Sequence, residues 1–110
     1  MITRVWHGWT KPENAAAYER VLREEWLHTL AARSSEGYLG ISLLRRELPN
    51  EVEFMTIMWF KDLDAVRTMA GNDYERAMIA PDAMPLFTRH DEYAQHYDTP
   101  LPPSLPERDA

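Results

Sequence analysis

The stretch that most limits what this chain can fold into is residues 51–60, Glu-Val-Glu-Phe-Met-Thr-Ile-Met-Trp-Phe. It is rich in β-branched and aromatic residues and reads as a strand. Alternate side chains of a strand point to opposite faces. Val52, Phe54, Thr56, Met58 and Phe60 therefore share one face, and Met55, Ile57 and Trp59 share the other. Both sets are apolar, so the sheet that holds this strand must be covered on both sides. Residues 2–9, Ile-Thr-Arg-Val-Trp-His-Gly-Trp, read as a strand of the same kind, with Trp6 on one side and Val5 and Trp9 on the other.

The remaining elements supply cover for only one side. Thr10-Lys11-Pro12-Glu13 has the form of a capping box with Pro in the first turn. A long helix is predicted from there to about Arg33, with Ala15, Tyr18, Val21, Leu22, Trp26 and Leu30 as its apolar stripe and Gly37 as its stop. Residues 38–48 read as a second strand. Leu48-Pro49-Asn50-Glu51 is a tight turn that makes strands two and three a hairpin. Asp62 caps a second helix through Leu63, Val66 and Met69 to Gly71, and Asn72-Asp73 begins a short third helical piece, Tyr74–Ile79. Residues 87–98 are predicted as a polar last strand. The order β-α-β-β-α-β is that of a ferredoxin-like α+β fold, an antiparallel sheet with helices on one face.

One domain over residues 1–98 is expected from the chain's 110 residues, with 99–110 as a Pro-rich tail. With two helices on one face and no third layer, a second copy packed sheet to sheet is the simplest cover for the other face. The expected partner is therefore an identical chain. The formal charge of −6 and the absence of a basic cluster argue against nucleic acid and against anionic membranes. No apolar run reaches the roughly 18 residues that span a bilayer. Residues 1–6 lack the charged-then-apolar pattern of a leader, and a cytoplasmic protein is expected. There is no cysteine, which removes disulfides, thiolate metal sites and cysteine nucleophiles.

A family resemblance rests on several of these segments. Residues 53–66, Glu-Phe-Met-Thr-Ile-Met-Trp-Phe-Lys-Asp-Leu-Asp-Ala-Val, resemble the third strand and second helix of the antibiotic biosynthesis monooxygenase-like proteins. Residues 23–27 (Arg-Glu-Glu-Trp-Leu), 37–40 (Gly-Tyr-Leu-Gly), 43–46 (Leu-Leu-Arg-Arg) and His96-Tyr97 are similar to that group as well. The resemblance covers residues 1 to about 98. It implies a dimeric α+β barrel with a pocket between sheet and helices, and oxidation of planar phenols or quinols without a cofactor. The cofactor-free branch uses a Trp at the end of strand three, an Asn four residues before it and a Tyr six residues after it. Trp59 matches the first, while Met55 and Ala65 stand at the other two positions. In the haem-degrading branch, the positions of the strand-one Asn, the second-helix Trp and the His ligand carry His7, Thr68 and Met78. Loss of that His disfavours haem.

The candidate site residues come from chemistry-bearing types near that pocket. His96, His7 and Glu25 are the candidate bases that would ionise a phenol. The histidines are suited by a near-neutral pKa, and Glu25 by a place within the apolar stripe, where Arg45 or Arg46 could pair with it. Trp59 and Trp9 would pack on a planar ring, Arg45 would stabilise its anion, and Tyr74 belongs to a segment that would cover the pocket. His7 and His96 lie on neighbouring strands and could meet. His90 and His96 are six residues apart, roughly 20 Å along a strand, and cannot share a metal. No metal and no cofactor is expected, and the expected ligand is a small planar aromatic molecule. The alternative is a non-catalytic, dimeric small-molecule-binding or accessory protein of the same fold.

Overall fold

The computed structural model describes residues 1–104. Strand β1 (Ile2–Thr10) leads through a 3-10 turn at Pro12–Asn14 into a helix of three parts: α1 (Ala15–Val21), a π-helical stretch (Leu22–Trp26) and α2 (Leu27–Arg33). Then come β2 (Tyr38–Glu47), β3 (Val52–Phe60), α3 (Leu63–Ala70), a 3-10 turn at Met84–Leu86, β4 (Phe87–His90) and β5 (Gln95–Asp98). The sheet runs β2-β3-β1-β4, with β5 also paired to β1, and every pairing is antiparallel. This is the ferredoxin-like α+β arrangement predicted from the sequence.

The π stretch follows from the spacing of the apolar stripe. Tyr18, Leu22, Trp26 and Leu30 recur every four residues. In an α-helix each four-residue step overshoots a full turn by about 40°, so three steps would carry Leu30 about 120° around the helix. One extra residue in a π turn, marked by the Leu27 amide donating to the Leu22 carbonyl, takes back most of that drift. Tyr18, Leu22 and Leu30 are accordingly buried on one face. The same slip overturns the expected position of Glu25. It rotates out of the stripe to the exposed side, where neither Arg45 nor Arg46 reaches it.

Other local expectations are corrected by the pairing of the sheet. Thr10 is not a helix cap: it is the last residue of β1, opposite Val52 and Phe87, and its buried hydroxyl has no hydrogen-bond partner among the described residues. The helix instead begins on Pro12 with no side-chain cap. Gly37 does not stop the helix by a positive φ. It is needed because a Cβ there would lie 2.6 Å from Ala65 Cβ. The Tyr74–Ile79 piece is not helical. Its backbone runs beside residues 92–94, with the Ala77 amide donating to the Glu92 carbonyl (2.8 Å) and the Ala94 amide to the Glu75 carbonyl (2.7 Å). That detour splits the predicted last strand into β4 and β5. Glu19 on α1 reaches Arg45 on β2. Asp62 does cap α3, its carboxylate accepting from the Ala65 amide at 2.9 Å. The tail begins with Thr99 tied to the first strand, its amide donating to the Met1 carbonyl. Residues 105–110 of the predicted tail lie outside the described residues.

The helices cover the face that carries Val52, Phe54, Met58 and Phe60, and Phe54 and Phe60 are fully buried there. Among the described residues nothing covers the other face. Val5, His7, Trp9, Met55, Ile57 and Trp59 lie on it half-buried, and Leu44 is 45% exposed. No helix among the described residues is long and apolar enough to cross a membrane.

Candidate functional site

Between the sheet and the first helix lies a small hollow walled by aromatic rings. Trp6 enters it from β1, Phe87 from β4, and Tyr18, Leu22 and Trp26 from the helix, while Ile79, Ala80 and Ala83 close it from the loop before β4. Gly8 makes the sheet side possible. A Cβ there would lie 2.6 Å from Trp6 Cη2 and 2.7 Å from Phe87 Cε1, so only glycine lets these two rings lie down together. Trp6 meets Phe87 edge-on at 5.4 Å, and Tyr18 meets Phe87 and Phe54 edge-on at 4.8 and 4.7 Å. Such contacts fix ring orientation as well as burying area.

The hollow is nearly filled by its own walls. The space inside it that water can occupy is ≈ 20 Å³, room for roughly one molecule. Its polar equipment is sparse. The Trp6 indole N–H is spent on the Asp91 carbonyl at 2.8 Å. The Tyr18 hydroxyl makes no hydrogen bond among the described residues, and burial raises its pKa, so it stays protonated and keeps its O–H to donate.

The sequence-predicted residues separate into groups around this hollow. His7, Trp9 and Trp59 project from the opposite, open face, because His7 and Trp9 alternate with Trp6 along β1 and Trp59 pairs with Thr3. The His7 ring stacks on Trp9 at 6.0 Å, and its Nδ1 and backbone amide both lie 3.0 Å from the Asp91 carboxylate. The Arg89 guanidinium lies over the Trp9 ring, 4.1 Å from its centroid. His7 and His96 therefore do not meet: β1 stands between them.

His96 lies on the helix side, opposite Arg4. Arg4 is buried with no carboxylate partner among the described residues. Its guanidinium donates to the carbonyls of Tyr74 and Arg76 (3.3 Å for Arg76) and contacts His96 Nε2 at 3.0 Å. Since a guanidinium only donates, Nε2 must be the unprotonated nitrogen. Desolvation, and then the Arg4 charge, push the His96 pKa down to about 4, and burial lowers Arg4 to about 10. Tyr74 meets His96 edge-on at 5.2 Å. This cluster pins the 74–76 segment to the sheet and does not line the hollow.

Glu25 lies outside the hollow, on the turn that supplies Leu22 and Trp26. Its proton affinity is raised chiefly by a hydrogen bond with Asp82 of the covering loop. Arg45 is the one predicted residue that borders the space between sheet and helix. It lines a slot beside the hollow, 3.5 Å from Glu19 and 3.1 Å from Glu47. Sequence reasoning missed Tyr18 and Phe87 as site residues. A signal for the former was present: Tyr18 is the polar-tipped member of the helix stripe. For Phe87 there was none, because its place depends on where the broken fourth strand docks. Among the described residues, no three His, Asp or Glu side chains are grouped to hold a metal ion.

No family model matches the chain, and no curated protein matches it. Solved structures do match. A Bacillus cereus protein provisionally named an antibiotic biosynthesis monooxygenase aligns over 97% of this chain and 98% of its own, with TM-score 0.62 and 13% identity. A protein from Agrobacterium tumefaciens aligns over 89% and 92%, with TM-score 0.59 and 18% identity. SnoaB, a cofactor-independent oxygenase from Streptomyces nogalater, aligns over 96% and 97%, with TM-score 0.56 and 24% identity. The chain thus has the fold of the antibiotic biosynthesis monooxygenase-like proteins along nearly its whole length.

Proposed function

We propose that the protein holds a planar, hydrophobic, oxygen-bearing aromatic molecule between its sheet and first helix and promotes the reaction of that molecule with O₂ without a cofactor. The observation that carries this reading is an indole- and phenol-walled hollow in a fold shared end to end with a cofactor-independent oxygenase. The loop that carries Ile79, Ala80 and Ala83 moves aside to admit the ligand, since the hollow holds little more than a water. Trp6, Trp26 and Phe87 offer ring faces and edges to a flat ligand, and the Tyr18 hydroxyl donates to its oxygen. Glu25, beside Asp82 of that loop but on the exposed side of the adjoining turn, is the base only for a ligand hydroxyl that projects out of the hollow. With an anthrone, the methylene carbon gives up two hydrogens, one oxygen atom of O₂ becomes the new carbonyl, and the other leaves as water.

A second reading, a binding protein that does not turn its ligand over, is favoured by one observation. No side chain lining the hollow accepts a proton at neutral pH. In either case two copies pack through their open sheet faces, where Trp59 and Ile57 meet the partner. The experiment is O₂ uptake with anthrone, run beside a fluorescence titration of the same compound. Uptake above the buffer rate supports oxygenation. Binding without uptake supports the second reading. Neither binding nor uptake, across several tricyclic phenols, sinks both.

A further inference from the structure

No wall of the hollow takes up a proton at neutral pH, but an imidazole stands directly behind two of them. His90, on β4 opposite Gly8, packs its ring 6.2 Å from that of Trp6 and 6.0 Å from that of Phe87. Its Nδ1 lies 3.0 Å from the Asp91 carbonyl, the same oxygen that takes the Trp6 indole N–H at 2.8 Å. A carbonyl oxygen only accepts, so Nδ1 carries the hydrogen and Nε2 keeps its lone pair. An imidazole fixed in one orientation by a third group is what proton abstraction requires.

The same imidazole borders a second, outer cavity of ≈ 270 Å³, with Arg76, Ala77, Ile79, Met84 and Glu92. Ile79 is a wall of both spaces. Among the described residues no backbone hydrogen bond ties residues 78–79 to the rest of the chain, and those of residues 80–84 stay within the loop. Displacing Ile79 therefore breaks no backbone bond and runs the hollow and the outer cavity together. A cavity of about 150 Å³ takes a benzene ring, so the outer one has room for roughly two fused rings. Arg76 and Glu92 offset each other in charge, and Arg76 is already engaged by Asp73.

We infer that His90 is the proton acceptor for a phenol that lies across the hollow and the outer cavity once Ile79 has moved aside. The phenolic O–H bond breaks, its electron pair stays on oxygen, and the proton passes to Nε2, which leaves a phenolate beside an imidazolium. This rests on the reading that the protein takes planar phenols between its sheet and first helix. It supplies the base for a hydroxyl held under the loop, a place that Glu25, on the exposed side of its turn, does not face.

The test is an anaerobic absorbance titration of the full chain with 2-naphthol, whose naphtholate band lies to the red of the neutral form. Bound to the parent chain, the naphthol is expected to ionise at about tenfold higher proton concentration than it does free, because the imidazolium faces its anion. His90→Asn keeps a side-chain N–H for the Asp91 carbonyl but has no Nε2. It should abolish that shift while affinity and urea midpoint hold, an outcome that a merely structural His90 would not produce. Glu92→Gln should keep the shift. Where anthrone drives O₂ uptake, His90→Asn should lower kcat about a hundredfold with little change in KM. Ile79→Ala should speed naphthol association severalfold, and an unchanged rate removes the joined cavity and the proposal with it. Ordinary ionisation in the parent complex, or a shift that survives His90→Asn, overturns the inference while the phenol-binding reading stands. Failure of 2-naphthol and of larger tricyclic phenols to bind overturns both.

Discussion

The two faces of this sheet are built from neighbouring residues of the same strands, yet only one is finished within the chain. On the helix side Phe54 and Phe60 are wholly enclosed, and the one gap among the aromatic walls holds about a single water. On the open side Ile57 and Trp59 alternate with them and remain half-buried, under no described segment. The polar groups divide in the same way. The covered face takes in Arg4 only by giving it carbonyls and a neutral imidazole, whereas on the open face Arg46 faces Glu53 across neighbouring strands and His7 faces Asp91 just past the end of β4. The difference teaches that apolar alternation on two faces is one signal with two uses: cohesion of the subunit on one side, and a surface for a second copy on the other.

The largest expected effect separates adjacent residues of β3. Phe60→Ala opens a void among Ile2, Leu30, Val66 and Met69 and should cost about 3–5 kcal/mol in urea unfolding. Trp59→Ala, one residue away, should cost roughly 1–2 kcal/mol in dilute protein. Its main effect should be elsewhere: the unfolding midpoint of the parent chain rises with protein concentration, and the variant loses that dependence. Equal costs at the two positions, with no concentration dependence in the parent, would break the comparison.

What could be read in the sequence was what depends on neighbours along the chain. The two-faced alternation of residues 52–60, the Asp62 cap and the turn at Leu48–Glu51, closed by the Leu48 amide on the Glu51 carbonyl, are all local. What could not be read depends on distant partners or on a change of period. Glu25 left the apolar stripe because a wheel of 3.6 residues does not hold through a π turn. The alternation shows that Trp6 and Trp9 part company, but not which of them faces the helices. That is fixed by the register that pairs Trp6 with Thr56 and Trp9 with Glu53. The break between β4 and β5 arises where Asp91 turns in to take the amide and ring of His7, a contact across 84 positions.

Acid should sharpen the contrast between the faces, because the depressed imidazole is on the covered one. His96 has a folded-state pKa of about 4 against an ordinary 6.5. Between those values the unfolded chain binds a proton that the native one refuses, so this contribution is complete above pH 6.5 and is lost as the pH falls toward 4. The ring is only partly buried, and solvent screening reduces the loss to about 1–2 kcal/mol. His96→Gln, which keeps an acceptor for Arg4, should flatten the fall in urea midpoint between pH 6.5 and 4. An unchanged slope would show that the Arg4 cluster does not govern acid stability.

The smallest effect concerns how the cover itself is held. Helix α3 packs Ala65, Val66 and Met69 against the sheet through only two turns, and it begins on the Asp62 carboxylate. A helix of eight residues has little intrinsic stability, so its first turn depends on that cap and on the buried side chains together. Asp62→Ala should cost about 1 kcal/mol. The loss should show first as faster amide exchange at Ala65, whose N–H the cap holds, with β3 amides unaffected until global unfolding. Faster exchange spreading at once to Phe54 and Phe60 would mean that the covered face owes its closure to α3 alone. Exchange confined to α3 would place the closure in the three-part first helix, whose four-residue stripe and π turn keep Tyr18, Leu22 and Leu30 on the sheet.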